Sequence, residues 1–134
     1  MATISDIEGI GAAYAAKLRK AGVRSTNELL KAAGTKKGRV ELAKETGFTA
    51  KTILEWVNRA DLFRVKGIGA QYSDLLEAVG VDTVMELAKR KPETLHEAIL
   101  KVNAKKNLVN QVPGLSNVKG WVKSAKSLKR AVEY

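Results

Sequence analysis

An internal duplication constrains the fold of this chain more than any other feature of its sequence. The segment IEGIGAAY at residues 7–14 recurs 58 positions later as VKGIGAQY at residues 65–72, and the similarity continues without a gap through Leu29 and Leu87. Self-similarity over most of a chain indicates two copies of one supersecondary unit. We therefore expect two related units with a pseudo-two-fold relation rather than a single unrepeated motif.

A second similarity shows where the two copies differ in length. Trp56 recurs 65 positions later as Trp121, so the shift between the copies grows by a few residues along the chain. The extra residues of the second copy lie near positions 105–111. We predict that one unit covers residues 1–63 and that the second covers residues 64–134.

The spacing of apolar residues predicts helices along the whole chain and an all-α fold of about eight helices. Ser25-x-x-Glu28 and Thr83-x-x-Glu86 have the form of capping boxes, so a helix should begin at the same place in each copy. Gly22 should end the preceding helix. No segment alternates with period two for long enough to predict a strand. The predicted helices cover residues 12–21, 38–46, 50–62, 70–79, 84–89, 93–103 and 117–129, with one more after Ser25.

Composition excludes several kinds of active site. The chain has no cysteine, which rules out disulfides and thiolate metal sites. Its single histidine, His96, cannot supply the several Cys or His ligands that a structural zinc site needs. The carboxylates are isolated, without the clustering that a metal-dependent nuclease requires. The sequence contains no phosphate-binding loop and no catalytic triad motif. We expect a protein that is not an enzyme and has no metal site.

The sequence also predicts the compartment. Its N-terminus has no basic region followed by an apolar run, and no apolar stretch approaches the roughly 20 residues needed to cross a bilayer. We therefore expect a cytoplasmic protein that does not associate with membranes.

The charge of the chain indicates an anionic partner. It carries 24 basic and 14 acidic residues, which give a formal net charge of +10. No acidic residue occurs between Glu97 and Glu133, and such a stretch is typical of an electrostatic footprint for a polyanion. The alternative is that the charge serves solubility alone. The basic residues of this stretch are Lys101, Lys105, Lys106, Lys119, Lys123, Lys126, Lys129 and Arg130.

A glycine-containing pattern opens each copy. It reads hydrophobic-x-Gly-hydrophobic-Gly, followed by three residues, a small residue, two more residues and a hydrophobic one. This pattern resembles the helix-hairpin-helix motif of DNA ligases, repair glycosylases and recombinases. Its continuation, Ala21-Gly22-Val23 and then Ser25, is similar to the form in RadA-type recombinases and in the C-terminal domain of the RNA polymerase alpha subunit. The two-copy layout resembles a prokaryotic family of stand-alone tandem helix-hairpin-helix proteins.

The resemblance implies a contact surface for the DNA backbone. Hairpins of this type bind the backbone without reading bases, sometimes with the help of a monovalent cation, and no other cofactor is implied. Carried over by position, the contacts would be made by Gly9, Ile10, Gly11, Gly67, Ile68 and Gly69.

The properties of glycine and of helix N-termini predict a phosphate contact at the same residues. Glycine permits the backbone angles of a tight hairpin and lets another backbone approach closely. The helix that follows presents unpaired N–H groups and the positive end of its dipole, which together form an anion site. A phosphodiester can be held there without any base being read. The alternative is that both hairpins only turn the chain and pack the two copies.

Charged residues near the hairpins differ between the copies. Lys66 lies inside the second hairpin, where it would attract phosphate, but Glu8 takes the equivalent place in the first and would repel it. Lys17 follows the first hairpin, whereas Leu75 occupies the equivalent position of the second copy. We include Lys17 and Lys66 among the predicted backbone contacts.

A third, degenerate hairpin is predicted in the second copy. Residues 112–116, VPGLS, resemble the Leu-Pro-Gly-Ile-Gly form of the motif, with serine in place of the second glycine. Lys119, Lys123 and Lys126 follow at steps of four and three, so they share one face of a basic C-terminal helix. We expect Gly114 and these lysines to contact phosphates. The alternative is a solvated lysine face.

Other conspicuous residues are predicted to be structural. Trp56 and Trp121 have aliphatic neighbours at helical spacing, which favours core packing over stacking on bases. Tyr14 is expected to pack between helices, His96 to lie on the surface, and residues 35–39, TKKGR, to form an exposed turn. The residues predicted to pack the two copies are Ile4, Ile7, Ile10, Tyr14, Leu18, Leu29, Leu30 and their counterparts.

These observations favour one function and leave one alternative. We predict sequence-independent binding to a nucleic-acid backbone, with duplex DNA as the expected form, through the hairpins and the lysine-rich faces. The alternative is a protein–protein interaction adaptor that has no role with nucleic acid.

Overall fold

The structure, a computed structural model, describes residues 3–7 and 9–134. Within that part of the chain there are eight α-helices, one turn of 3-10 helix at Ile4–Asp6 and no strand, which confirms the predicted all-α class. Two helices have the predicted bounds, and five differ by one to three residues at one or both ends; for the helix after Ser25 only the start was predicted. The helices are α1 (Ala12–Lys20), α2 (Thr26–Ala33), α3 (Lys36–Thr46), α4 (Ala50–Leu62), α5 (Ala70–Ala78), α6 (Val84–Lys89), α7 (Pro92–Lys106) and α8 (Leu115–Ser127).

The chain divides into two compact units. Unit 1 consists of Met1–Asp61 together with Arg130–Tyr134, and unit 2 consists of Leu62–Lys129. Unit 1 is therefore built from two separate stretches of sequence. We call Arg130–Tyr134 the return segment, and it groups with unit 1 although the division of the sequence assigned it to the second copy.

The apolar residues of the first copy form the core of unit 1. Leu30 is half-buried, and Tyr14 is 46% exposed. Tyr14 still packs between helices as predicted, because its ring stands edge-on to Phe48 at 5.0 Å and lies 6.0 Å from the indole of Trp56 on α4. The residues of the predicted packing set that are fully buried here are Ile4, Ile7, Ile10, Leu18 and Leu29.

The core of unit 2 is one continuous apolar cluster that draws on α5, α6, α7 and α8. Tyr72 is partly buried against this cluster, with its ring 5.3 Å from the indole of Trp121. The largest buried members of the cluster are Leu62, Ile68, Leu75, Leu76, Leu87, Leu95, Ile99 and Trp121.

The helix ends follow local sequence signals. The side chains of Ser25 and Thr83 accept hydrogen bonds from the backbone N–H three residues on, at 3.1 and 3.0 Å, which is the N-cap half of each predicted capping box. Gly22 and Gly80 both have a φ of +89°. The residue after each of these glycines donates back to the last turn of its helix, at 2.9 and 2.8 Å. This is the bond of a Schellman motif, and Gly22 ends α1 as predicted.

A buried arginine ties α3 to the return segment. The prediction of an exposed turn over residues 35–39 is wrong, because α3 begins there and Arg39 is 4% exposed. Its guanidinium donates to the carbonyl oxygens of Ala33 and Gly34 at 3.1 and 3.0 Å, and also to the carbonyl oxygen of Glu133. A buried cation requires such fixed acceptors, and one of them comes from a distant part of the sequence.

The loop between α7 and α8 folds back along α7. The side chain of Asn103 accepts from the N–H of Val109 at 3.0 Å and donates to its carbonyl oxygen at 3.1 Å. Further along, Nε2 of His96 lies 3.0 Å from the carbonyl oxygen of Pro113. The prediction of a surface position for His96 is therefore wrong, because the side chain is half-buried and helps to anchor this loop.

Candidate nucleic-acid interface

In unit 1 the first Gly-x-Gly segment forms a tight turn that leads directly into α1. The N–H of Ile10 donates to the carbonyl oxygen of Ile7 at 3.1 Å, and Gly9 has a φ of +91°. The side chain of Ile10 is buried, which attaches the turn to the core, and Gly11 is the N-cap of α1. Glu8, which was predicted to repel phosphate here, lies outside the described residues.

Unit 2 contains a turn with the same local geometry. The N–H of Ile68 donates to the carbonyl oxygen of Val65 at 3.1 Å, and Gly67 has a φ of +93°. Ile68 is buried, and Gly69 is the N-cap of α5. Lys66, Gly67 and Gly69 are exposed, so a lysine stands within the turn itself.

The two turn glycines, Gly9 and Gly67, share a backbone conformation that favours glycine, and at Gly67 the space for a side chain is also tight. A φ near +90° strains any residue that carries a Cβ. A Cβ at Gly67 would also stand 3.1 Å from Nε1 of Trp121, and one at Gly9 would stand 3.7 Å from Nε1 of Trp56. Each tryptophan is 4% exposed, which confirms the predicted core packing. Each indole therefore packs against the glycine of its turn.

The helices that follow the two turns begin without a side-chain cap. Gly11 and Gly69 supply none, and their carbonyl oxygens accept the first intrahelical hydrogen bonds, which are 2.9 Å long in both helices. The backbone N–H groups of residues 12–14 and 70–72 therefore have no partner within their helices. These groups and the positive end of the helix dipole make each N-terminus a favourable position for an anion.

The two lysines predicted beside the hairpins are placed differently. Lys66 directly precedes Gly67 in the turn of unit 2. Lys17 lies five residues beyond the start of α1, about 7.5 Å along the helix axis. Its ammonium group lies 5.6 Å from the ring centroid of Phe48. Lys17 thus lies more than one helical turn beyond the N-terminus of α1, whereas Lys66 lies four residues before the start of α5.

Helix α8 has one buried and one basic face. Lys119, Lys123 and Lys126 are all exposed, and we call them the lysine face. Because Nε1 of Trp121 lies close to the turn glycine Gly67, α8 runs next to the second hairpin. Lys119 and Lys123, two residues to either side of Trp121, lie on the opposite face of the helix. The second hairpin and the lysine face therefore both belong to unit 2, on neighbouring elements. The buried face consists of Val118, Trp121, Val122 and Ala125.

Gly114 does not adopt the turn predicted for a third hairpin. Its φ is −76°, unlike those of the two turn glycines, and it is the N-cap of α8. The side-chain oxygen of Asn117 accepts from its N–H at 3.0 Å. Since α8 begins at Leu115, the residue expected to replace the second glycine of the motif lies inside the first turn of the helix. The segment resembles an ordinary helix start.

Two kinds of site are not found in the part of the chain that the structure describes. Across residues 3–7 and 9–134, no three His, Asp or Glu side chains come together in a way that could hold a metal ion. The helices of the same residues include none that is both long enough and apolar enough to cross a membrane.

Comparison with known proteins identifies a family. A family model described as a domain of unknown function (DUF4332) matches residues 8–128. The matched range contains both Gly-x-Gly segments and all eight α-helices. Searches of curated proteins and of solved structures gave no significant match.

Proposed function

We propose that this chain, which belongs to the DUF4332 family, is a tandem helix-hairpin-helix protein that binds the nucleic-acid backbone without reading its sequence. Duplex DNA is the expected ligand, and the function is binding without catalysis. The tandem arrangement is supported by features that recur in both units: a glycine turn with an i to i+3 hydrogen bond, a glycine N-cap, and a tryptophan beneath the turn.

The proposal rests mainly on one observation, the contact of Gly67 with Trp121 of α8. This contact brings the uncapped N-terminus of α5 next to a helix with three exposed lysines and no acidic residue. Backbone N–H groups would bind one phosphate, and the lysine face would neutralise its neighbours on the same strand. Release of counterions by these lysines would supply most of the binding free energy.

Gly69 provides a sharp test of the hairpin. A Cβ there meets no atom within 4 Å and its φ is −105°, so the position accepts a side chain without strain. Gly69→Asp places a carboxylate where the phosphate would bind, while aspartate remains a preferred N-cap. We expect it to weaken binding to a labelled mixed-sequence duplex by about tenfold, or about 1.4 kcal/mol, in fluorescence anisotropy.

The matched control for this substitution is Gly69→Asn. Asparagine has the same shape and is an equally good N-cap, but it carries no charge. Because its side-chain oxygen would accept from one N–H of the first turn, it should weaken binding, but less than the charged aspartate does. If Gly69→Asp binds as tightly as Gly69→Asn, the hairpin is not the phosphate site.

The lysine face is tested by removing its three charges together. Lys119→Gln, Lys123→Gln and Lys126→Gln in one chain should lower the slope of log K against log salt by about 2.7, because each phosphate contact contributes about 0.9. The control is the same change at three exposed lysines of α7 in the same unit. Equal effects from both triple variants would mean that binding depends on diffuse charge and not on this surface. The control lysines are Lys101, Lys105 and Lys106.

One observation favours the alternative role in protein interaction. Leu100, Leu108 and Val112 of unit 2 are exposed apolar side chains in a part of the sequence that is rich in lysine. Such a surface would suit an acidic partner with apolar anchors. A wild-type chain that does not bind duplex DNA even at low salt would favour this role over nucleic-acid binding.

A further inference from the structure

Two hydrogen bonds to the backbone of Glu133 hold the return segment against the rest of unit 1. The N–H of Glu133 donates to the carbonyl oxygen of Gly34 at 2.8 Å, and its carbonyl oxygen accepts from the guanidinium of Arg39. Since Arg39 also donates to Ala33, one buried cation links the segment to the end of α2. A Cβ at Gly34 would stand 2.6 Å from the carbonyl oxygen of Ala131. The carbonyl oxygen of Leu30 would stand at 2.5 Å, so both the end of α2 and the approach of the segment leave no room for a Cβ here.

Side chains of the return segment make the contact selective. Val132 is only 2% exposed, and the hydroxyl of Tyr134 donates to Oδ1 of Asn58 at 2.9 Å. The segment also holds its own shape, because Nε of Arg130 donates to the carbonyl oxygen of Val132 at 2.8 Å. The side chain of Glu133 is exposed, so this residue contributes through its backbone. Together these contacts have the composition of a peptide–receptor interface.

We propose that unit 1 carries a peptide-binding site and that its ligand is the return segment, which a second copy of this chain can also supply. The site takes a non-helical segment with an aliphatic residue two positions before a tyrosine. Tethering through unit 2 favours the segment of the same copy, since it makes the binding intramolecular. Exchange between copies replaces each contact by an identical one, so it costs little interaction energy.

The site can be emptied in the full chain by Val132→Asp. This substitution would bury an unpaired charge, so the variant should release its own return segment. A labelled peptide with the sequence of residues 128–134, LKRAVEY, is then added to the variant and to the wild type. We expect the peptide to bind the variant at least about tenfold more tightly, because in the wild type the tethered segment competes with it.

Two altered peptides control for nonspecific attraction. The peptide that carries Val132→Asp should not bind, whereas the peptide with Glu133→Gln should bind like its parent. If the chain with Val132→Asp loses helicity, adding the parent peptide should restore it, as measured by far-UV circular dichroism. A peptide that binds the variant no better than the wild type and restores no helicity would overturn the proposal.

Exchange between copies needs a separate measurement. Chains with Val132→Asp keep an intact peptide-binding site but have a defective return segment. Chains with Arg39→Met keep an intact return segment but have a defective site. A tagged Val132→Asp chain should therefore capture an untagged Arg39→Met chain, but not an untagged Val132→Asp chain. Equal capture of the two untagged chains, or capture of neither, would show that the site does not take the segment of a second copy.

Discussion

Unit 1 and unit 2 have the same backbone conformation at their glycine turns. Gly9 and Gly67 have φ values of +91° and +93°, and the helix-ending glycines Gly22 and Gly80 have the same value of +89°. Side chains with a Cβ rarely adopt these angles. Where the sequence repeats such glycines in register, the local backbone therefore repeats as well.

The charges of the two units differ. In unit 2 the helix beside the turn carries the lysine face, and Lys66 stands within the turn. In unit 1 the exposed basic residues follow the turn on α1, and the helix beside the turn is α4. Unit 2 thus has the stronger arrangement for phosphate, although both turns have the same geometry. The positions of α4 that correspond to the lysine face hold Leu54, Asn58 and Asp61.

The segment that packs against the helices and completes the core also differs between the two units. Unit 1 uses the return segment, which Arg39 holds through hydrogen bonds to backbone carbonyl groups. Unit 2 uses the loop before α8, which is anchored to α7 by Asn103 and His96. The repeated part of each unit is therefore the turn and its helices. The segment that packs against those helices is specific to each unit.

The largest expected effect concerns the buried arginine that holds the return segment in unit 1. Arg39→Met should lower the free energy of unfolding by about 3 kcal/mol, because three carbonyl oxygens lose a buried charged donor. Arg90→Met is the matched control in unit 2, where a partly exposed arginine pairs with Glu86 at 3.1 Å. It should cost less than about 1 kcal/mol. Denaturant unfolding of both variants measures the difference, and equal losses would contradict the structural role assigned to Arg39.

A smaller effect is expected at the turn glycines. Gly9→Ala should cost about 1–2 kcal/mol, because its φ is positive. Gly67→Ala should cost about 1 kcal/mol more, because its Cβ would stand closer to the tryptophan beneath the turn, at 3.1 rather than 3.7 Å. Thermal unfolding compares the two. Gly11→Ala serves as the control, since its Cβ would meet no atom within 4 Å, and a loss as large as that of Gly9→Ala would refute the conformational argument.

The smallest effect concerns the single charge that distinguishes the two hairpins. Under the proposed function, Glu8→Lys should strengthen duplex binding several-fold and raise the salt slope by about 0.9. Lys66→Glu should weaken binding and lower the slope. Fluorescence anisotropy across a salt series gives both quantities. Unchanged slopes in both variants would mean that neither hairpin contacts phosphate and that the lysine face acts alone.

Much of the fold could be predicted from short sequence patterns. The helices over residues 50–62 and 84–89 have the predicted bounds, and Ser25 caps its helix as its spacing from Glu28 indicated. The turn of a third hairpin over residues 112–116 was expected from resemblance alone and is not formed. There the N–H of Gly114 donates to the side chain of Asn117, and α8 begins at the next residue.

The candidate site was less predictable than the fold. The glycines of both turns and the lysine face could be named from the sequence, because glycine angles and helical spacing are local properties. Nothing in the sequence indicated that α8 lies beside the second hairpin, since the contact between Gly67 and Trp121 joins residues far apart in the chain.

The sequence by itself determined the helices to within a few residues and the two glycine turns, because each depends on backbone angles and on hydrogen bonds within a few residues. The tertiary structure decided which polar groups are buried and which surfaces meet. Arg39 belongs to a basic stretch that suggested exposure, yet it is buried because an acceptor from Glu133 reaches it across 94 positions of sequence. A buried charge needs its partners in place, and only the packed chain supplies them.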